Sequence, residues 1–194
     1  MKTVFKYLCV ALIASGALFH SCETTELDDL VTPNALSPDQ SDPDLLLNAV
    51  QIGYVNNMQT MNDVSSSLTR IDYMFGRDYT TVFTSGTFNA SWTRFFSAFN
   101  TAGMGTNIQN IEALFNNPDT AQDLSYHLGI AKTMQAHQLM LLVDYLGDIP
   151  WSEALQPLDF PTPNLDVDST VYQNALDLLV EANGLLQSAN TSGA

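Results

Sequence analysis

The stretch from residue 129 to 155 constrains the fold of this chain more than any other. From Gly129 onwards it reads as a long helix, and towards Leu146 its residues are apolar on nearly every face. A helix that is apolar all round has to be buried, so other helices must pack around it. Gly147 can take the positive φ that ends a helix, and Pro150 prevents the helix from resuming. The sequence therefore predicts a helical core with a defined exit after Leu146.

Residues 1–21 have the composition of a secretory signal. Lys2 and Lys6 precede a short apolar run, and small residues lead up to Cys22. The run is shorter than the roughly 20 residues that span a bilayer. Cys9 lies inside this leader, so Cys22 is alone in the mature chain and has no partner for an internal disulfide. We predict that Cys22 is lipidated after cleavage; the alternative is an ordinary signal peptide with an incidental cysteine.

Residues 22–41 form a polar segment that we interpret as an acidic tether. Four of the seven residues after Cys22 are acidic, and Pro33 and Pro38 follow without any apolar periodicity. This composition is typical of a solvated linker. Acidic residues directly behind a lipidated cysteine also resemble the export signal of surface lipoproteins, and the two interpretations are compatible. The folded domain is predicted to cover residues 42–194.

The charge balance excludes one class of partner. Removal of the leader leaves four basic residues against all 21 acidic ones. Nucleic-acid binding depends on clustered lysine and arginine, so a nucleic-acid partner is not expected. A soluble acidic surface of this kind is compatible with a neutral ligand. The four basic residues are Arg70, Arg77, Arg94 and Lys132.

Helical spacing predicts a first helix that begins at Pro43 and ends near Met61. Asp42 is placed to act as its N-cap, and proline suits the first helical position. The segment 62–90 that follows has no regular period and predicts a long irregular loop. The apolar face of this first helix is expected to consist of Leu46, Ala49, Val50, Gly53, Val55 and Met58.

A second helix is predicted to start near Ser91, with Asn89 or Ser91 as its N-cap, and to be weakened or kinked at Gly103. The long central helix is predicted to begin at Asp119, which together with Gln122 has the spacing of a capping box. The core stripe of the second helix is expected to comprise Trp92, Phe95, Phe96, Phe99, Ile108, Ile111, Leu114 and Phe115.

No stretch alternates convincingly in the manner of a β-strand. A tight turn joins the second helix to the central one, and a proline-rich connection leads to a fourth helix that starts near Asp168. Such connections are typical of antiparallel helix pairs of the tetratricopeptide kind, although no strict repeat period is visible. The predicted fold class is all-α, with tetratricopeptide-like helix pairs and long irregular loops.

The residues offer no enzyme mechanism. His127 and His137 are ten positions apart, which is not a neighbour spacing on a helix face, so they do not indicate a zinc site. Asp144 and Asp148 are better explained by solvent exposure and turn chemistry than as an acid/base pair. The chain has no glycine-rich phosphate loop and no serine elbow. We predict a protein that is not an enzyme and needs no cofactor or metal.

The segment 145–154, YLGDIPWSEA, resembles the exit of the buried helix in the SusD/RagB family of outer-membrane nutrient-binding lipoproteins. Trp92, Phe96 and Asn107 are similar to the family's W…Y…N helix, with Phe96 where an aromatic is usual. The leader ending at Cys22 is the third part of the resemblance, which covers essentially the whole chain. It implies a SusD-like helical fold and capture of glycans or other nutrients, without chemistry on the ligand.

The same resemblance implies a partner and a location. Family members are lipid-anchored at the surface of the outer membrane and act as a lid on a TonB-dependent, SusC-like transporter. They are typically more than twice as long as this chain, so we expect an N-terminal portion with an uncovered apolar face. The alternative function is a helical-repeat scaffold that binds only another protein. Starch, other glycans and peptides remain open as ligands, because specificity resides in loops that diverge on one scaffold.

A glycan site needs flat aromatic rings for the sugar faces and polar groups for the hydroxyls. Two local clusters supply both: Phe75, Arg77 and Tyr79 in the irregular loop, and Asn89 with Trp92. We favour the loop residues, because Trp92 lies on the stripe that should be core. The alternative is that the loop aromatics pin the loop to the core, which is the commoner role of large rings. A structural role is predicted for Trp151 beside Pro150.

Overall fold

The computed structural model describes residues 41–72, 83–84, 86–97 and 103–192, and this part of the chain is helical. An isolated bridge between Ile149 and Asp166 is the one strand-like pairing among these residues. The all-α prediction is therefore confirmed. Of the described helices, none combines the length and the apolar character that crossing a membrane requires. In chain order the helices are α1 (Pro43–Leu68), α2 (Asn89–Phe96), α3 (Met104–Asn116), α4 (Ser125–Leu146) and α5 (Asp168–Ser192).

Helix α1 begins where the sequence predicts it but continues beyond the predicted end. The Asp42 carboxylate accepts a hydrogen bond from the Asp44 amide at 2.9 Å, which confirms the N-cap. The helix runs to Leu68 and not to Met61, because Val64 and Ser66 extend its buried face by two turns. The predicted loop over 62–90 was thus wrong in its first part. The predicted apolar face was also shifted, since Val55 is exposed while Leu47 and Asn57 are buried.

The predicted second helix is two helices. Helix α2 ends at Phe96, and α3 starts at Met104 directly after Gly103. Helix α2 begins at Asn89 with Phe88 at the N-cap position and no side-chain cap, so neither Asn89 nor Ser91 caps it. Ser91 does not act as the N-cap because its side chain is fully buried on the inner face of the helix. The helices pack closely at Gly105, where a Cβ would lie 2.8 Å from the carbonyl oxygen of Phe95.

Helix α4 starts at Ser125, six residues after the predicted start. The capping-box prediction was wrong, because the amide of Asp119 donates to the side chain of Asn117 in a turn. The carboxylate of Asp123 instead accepts hydrogen bonds from the amide and hydroxyl of Ser125, at 2.9 and 2.6 Å. The predicted end is confirmed: α4 finishes at Leu146, and Gly147 follows with a φ of +77°.

Helix α4 lies at the centre of the packing and contacts α1, α3 and α5. Its Gly129 faces Leu186 of α5, and beyond its end Ile149 pairs with Asp166, so α4 and α5 run antiparallel. This arrangement agrees with the predicted helix pair. The expected burial holds for the inner faces of α4, whereas Tyr126 and Leu146 at its two ends are exposed. The largest fully buried apolar side chains are Phe95, Met104, Ile108, Ile111, Leu124, Leu128, Leu139, Leu142 and Ile149.

Helix α1 runs parallel to α4 and is joined to it by polar contacts at its start and near its middle. Nε2 of His127 lies 2.7 Å from the carboxylate of Asp44. Ten residues further along each helix, Nδ1 of His137 lies 2.7 Å from the hydroxyl of Tyr54. Both histidines therefore join helices in the folded chain. The described residues contain no group of three or more potential ligands that could hold a metal ion.

Candidate functional site

The segment that joins α4 to α5, here called the arm (residues 147–167), is fixed mainly by Asp166. Its carboxylate accepts hydrogen bonds from the amides of Trp151 and Ser152, at 2.7 and 2.8 Å, and from the Ser152 hydroxyl at 2.8 Å. The Ile149 carbonyl in turn accepts from the Asp166 amide at 3.0 Å. The start and the end of the arm are thereby held together.

Two acids of the segment 147–154, Asp148 and Glu153, complete this arrangement. Glu153 accepts hydrogen bonds from the backbone amide and the side-chain amide of Asn164, the shorter at 2.7 Å. Asp148 accepts from the amide of Asp168 at 2.9 Å and so satisfies a donor at the start of α5. The acids of GDIPWSEA therefore fix the conformation of the arm. Asp144 is exposed near the end of α4, and the position of Asp148 agrees with the predicted turn role.

The electrostatics of Asp166 follow from these contacts. Partial burial acts to raise the pKa of the carboxyl group, but the hydrogen bonds from Ser152 and Trp151 outweigh it and hold the pKa below 3.8, its ordinary value. Asp166 is therefore ionised at neutral pH and serves as a hydrogen-bond acceptor for the arm.

An aromatic cleft opens between α2 and the arm. It has a volume of about 270 Å³ and is partly open to solvent. Trp92 and Phe96 form one wall, with ring centroids 4.6 Å apart and planes inclined by 45°. Phe160 of the arm contributes a third ring. The remaining lining residues are Ser97, Pro150, Glu153, Ala154, Leu155, Gln156, Pro157, Pro161 and Pro163.

The composition of this cleft limits what it can bind. Its walls are mainly rings and prolines, its polar groups include Glu153 and Gln156, and its lining contains no cation. Such a surface suits a ligand with flat apolar faces and hydroxyl groups rather than an anion. The volume lies just below the range of about 300–1,000 Å³ usual for small-molecule pockets, so one unit of a larger ligand would fit.

The predicted site residues divide into two groups. Phe75, Arg77 and Tyr79 lie outside the described residues, as does Cys22, so the loop site and the lipidation site stay predictions. Asn89 is exposed at the start of α2 and does not line the aromatic cleft, whereas Trp92 does.

Trp92 and Asn107 lie on different helices, although the resemblance placed them on one. Trp92 is on α2, while Asn107 is buried on α3 and donates to the Gly103 carbonyl at 3.0 Å. Trp151 is partly buried against the core, and its amide is held by Asp166.

Phe160 is the cleft residue that sequence reasoning missed. It carries no helical periodicity, and its partners Trp92 and Phe96 precede it by more than 60 residues. A usable signal was nevertheless present, because Phe160 is an aromatic residue in a loop rich in proline, and prolines restrict the conformations of such a loop. Phe75 and Tyr79 were chosen because they are aromatic residues in an irregular loop, and Phe160 fits the same description.

The described part of the chain is a helical domain that carries an aromatic cleft and no recognisable catalytic group. The model of a SusD-like family, described as starch-binding and associating with the outer membrane, matches residues 33–194. This match covers most of the chain, and the chain belongs to that family. Members of the family are in general binding proteins without catalytic activity. No curated protein and no solved structure matches the chain significantly.

Proposed function

We propose that this protein is a surface-exposed lipoprotein that captures glycans or related nutrients and passes them to a TonB-dependent outer-membrane transporter. The observation that carries the proposal is the aromatic cleft, in which Trp92, Phe96 and Phe160 meet in a member of a starch-binding family. The protein performs no chemistry on its ligand. Cys22 carries the lipid that holds it at the membrane.

The cleft supplies what a sugar ring needs for binding. Aromatic rings cover the apolar C–H faces of the sugar, and burial of those faces is favourable. Gln156 and Glu153 in the cleft lining offer hydrogen-bonding groups to hydroxyls. Since a single sugar residue fills a cleft of this size, the remainder of an oligosaccharide would extend towards neighbouring loops. Phe75, Arg77 and Tyr79 are our candidates for that second contact.

The fixed arm favours binding at this position. Because Asp166 and Glu153 hold the arm in one conformation, Phe160 and the prolines need little further ordering when a ligand enters. Pre-ordered sites lose less conformational entropy on binding and therefore bind more tightly. In this proposal, the segment 147–154 contributes Pro150, Glu153 and Ala154 to the cleft lining, and its acids also hold the arm in place.

A binding screen on the folded mature protein, starting after Cys22, tests the proposal. Purified protein is run through gels that contain single polysaccharides, and hits are measured by calorimetry with the matching oligosaccharides and with peptides. We expect one glycan class to bind with a dissociation constant of about micromolar to millimolar. If a protein with a cooperative melting transition binds nothing in the panel, the capture function is wrong and the scaffold alternative gains support.

A further inference from the structure

Several apolar side chains of the arm that do not line the aromatic cleft are exposed to solvent. Leu158 is 96% exposed, and Leu165 and Val167 are also mostly exposed. None of these three residues lines the cleft. Single exposed apolar residues are common on protein surfaces, whereas several on one short segment are a candidate interaction surface.

The segment that carries these residues is held in a defined conformation. The Gln156 carbonyl accepts hydrogen bonds from the amides of Asp159 and Phe160, at 3.2 and 2.8 Å, and so fixes the turn that presents Leu158. Asn164 is anchored to Glu153 on the far side of the turn. Leu158 is therefore presented on an ordered turn, and an apolar residue held in this way binds a partner at low entropic cost.

Charge determines which kind of partner fits. Residues 133–194 contain eight acidic residues and no lysine or arginine, and Asp159 directly follows Leu158. A second copy of the chain would bring like charges together, and an anionic lipid surface would be repelled for the same reason. A protein surface with lysine or arginine around an apolar depression would be attracted.

We infer that the turn around Leu158 is a docking surface for a partner protein that presents an apolar socket rimmed by basic residues. The inference rests on the proposed function for the identity of that partner, which is the outer-membrane transporter. Leu158 enters the socket, and Asp159 faces the basic rim. The aromatic cleft lies next to this turn, so docking places a bound glycan beside the transporter.

The test is capture of the transporter by tagged full-length protein from detergent-solubilised outer membranes of the native cells, quantified by mass spectrometry. Leu158→Glu is compared with Val180→Glu, which changes an equally apolar, exposed residue on α5. We expect Leu158→Glu to reduce the recovered TonB-dependent transporter about tenfold or more, as at an interface hot spot, and Val180→Glu to leave it unchanged. Wild-type recovery should fall with added salt, and less so for Asp159→Asn.

Equal recovery of the transporter by wild type and Leu158→Glu would overturn the docking surface while leaving the transporter partner intact. A photo-crosslinking residue at position 158 that links to a second copy, or to lipid, would also overturn it. Glycan affinity is measured on the same variants and should be unchanged in Leu158→Glu. Loss of glycan binding in every variant, wild type included, would instead count against the proposed function. Glycan binding without any transporter in the wild-type capture would overturn the docking inference alone.

Discussion

At the scale of single residues, Lys132 shows how one buried charge can join three helices. Its Nζ donates to Glu112 of α3 at 2.9 Å and to Glu181 of α5 at 2.7 Å, and its side chain is only 6% exposed. Burial acts to lower the pKa of Lys132, but the hydrogen bonds to Glu181 and Glu112 outweigh it and raise the pKa above the ordinary 10.5. Lys132 therefore stays charged at neutral pH.

We expect loss of the acids to be more harmful than loss of the lysine. Glu112→Gln with Glu181→Gln leaves a buried cation without an anion, which should lower the free energy of unfolding by about 3 kcal/mol. Lys132→Met keeps the apolar stem and leaves two half-exposed glutamates that water can solvate, so about 1 kcal/mol is expected. Urea denaturation of both variants measures the difference. A larger loss in Lys132→Met would contradict this account.

Asp166 yields a prediction that depends on pH. Asp166→Asn replaces the charged carboxylate with a neutral amide that keeps only one acceptor oxygen for three donors, so it should lower the melting temperature at pH 7, whereas Asp159→Asn, in the same arm, should not. Because the folded pKa lies below 3.8, the contribution of Asp166 is complete above that value and is lost as the pH falls through the folded pKa. Melting curves of wild type and variant from pH 7 to about 2 should therefore converge at the acid end. A gap that stays constant throughout would show that the carboxylate charge contributes nothing.

Roles such as these cannot be read from the sequence. Lys132 is visible there as one of few basic residues, but its partners lie 20 and 49 positions away in the chain. Asp166 likewise acts on residues 14 and 15 positions before it, across a turn whose geometry no local pattern specifies. Asp42 at the start of α1 acts within one helical turn and was predicted correctly. The local cap predictions at Ser91 and Asp119 were wrong, because burial decided the first position and a turn with Asn117 decided the second.

At the scale of helices, the central element was predictable and several boundaries were not. The apolar run and Gly147 located the end of α4, because both signals are local. The end of α1 was missed, since Val64 and Ser66 continue the buried face without an apolar pattern that stands out. The interruption between α2 and α3 was predicted as a kink, because the sequence marks Gly103 but not the end of a helix at Phe96.

Replacement of glycine by alanine should have opposite effects on stability at two positions, because only one of the two glycines is closely packed. A Cβ at Gly105 of α3 would lie 2.8 Å from the Phe95 carbonyl oxygen and 2.5 Å from the Leu155 side chain, so Gly105→Ala should cost about 1–3 kcal/mol. Gly184 of α5 has no atom within 4 Å of that position, so Gly184→Ala should stabilise the helix by about 0.5–1 kcal/mol. Thermal unfolding of the two variants compares them directly. A neutral Gly105→Ala would show that α2 and α3 are packed more loosely than described.

At the scale of the whole molecule, we propose that a lipid anchor tethers the helical domain to the membrane. Family membership rests on residues 33–194, and the predicted anchor lies before that region. Cys22→Ser should abolish incorporation of labelled palmitate and release the protein from the membrane fraction. Cys9→Ser is the matched control, since Cys9 lies in the predicted leader and should leave labelling unchanged. Labelling that survives in Cys22→Ser would refute the lipidation site.

The family resemblance predicted the fold and the general function, but it did not predict the aromatic cleft. Trp92 was among the candidates from the sequence, whereas Phe160 joins it only because the arm folds back over α2. Fold-level patterns are encoded locally in helices, while a binding cleft depends on which distant loops meet. The proposed function requires that the rings of Trp92, Phe96 and Phe160 bind the ligand.

Two phenylalanines of equal exposure allow the most direct test of that claim. Phe160 lines the cleft and Phe115 on α3 does not, and each is 38% exposed. For the glycan found in the binding screen, calorimetry should give an affinity about tenfold or more weaker for Phe160→Ala, because loss of a stacking ring costs about 1–3 kcal/mol at comparable ring-stacking sites. Phe115→Ala should bind as wild type does, and both variants should keep a cooperative melting transition. Unchanged affinity in Phe160→Ala would contradict the account and move the site to other residues.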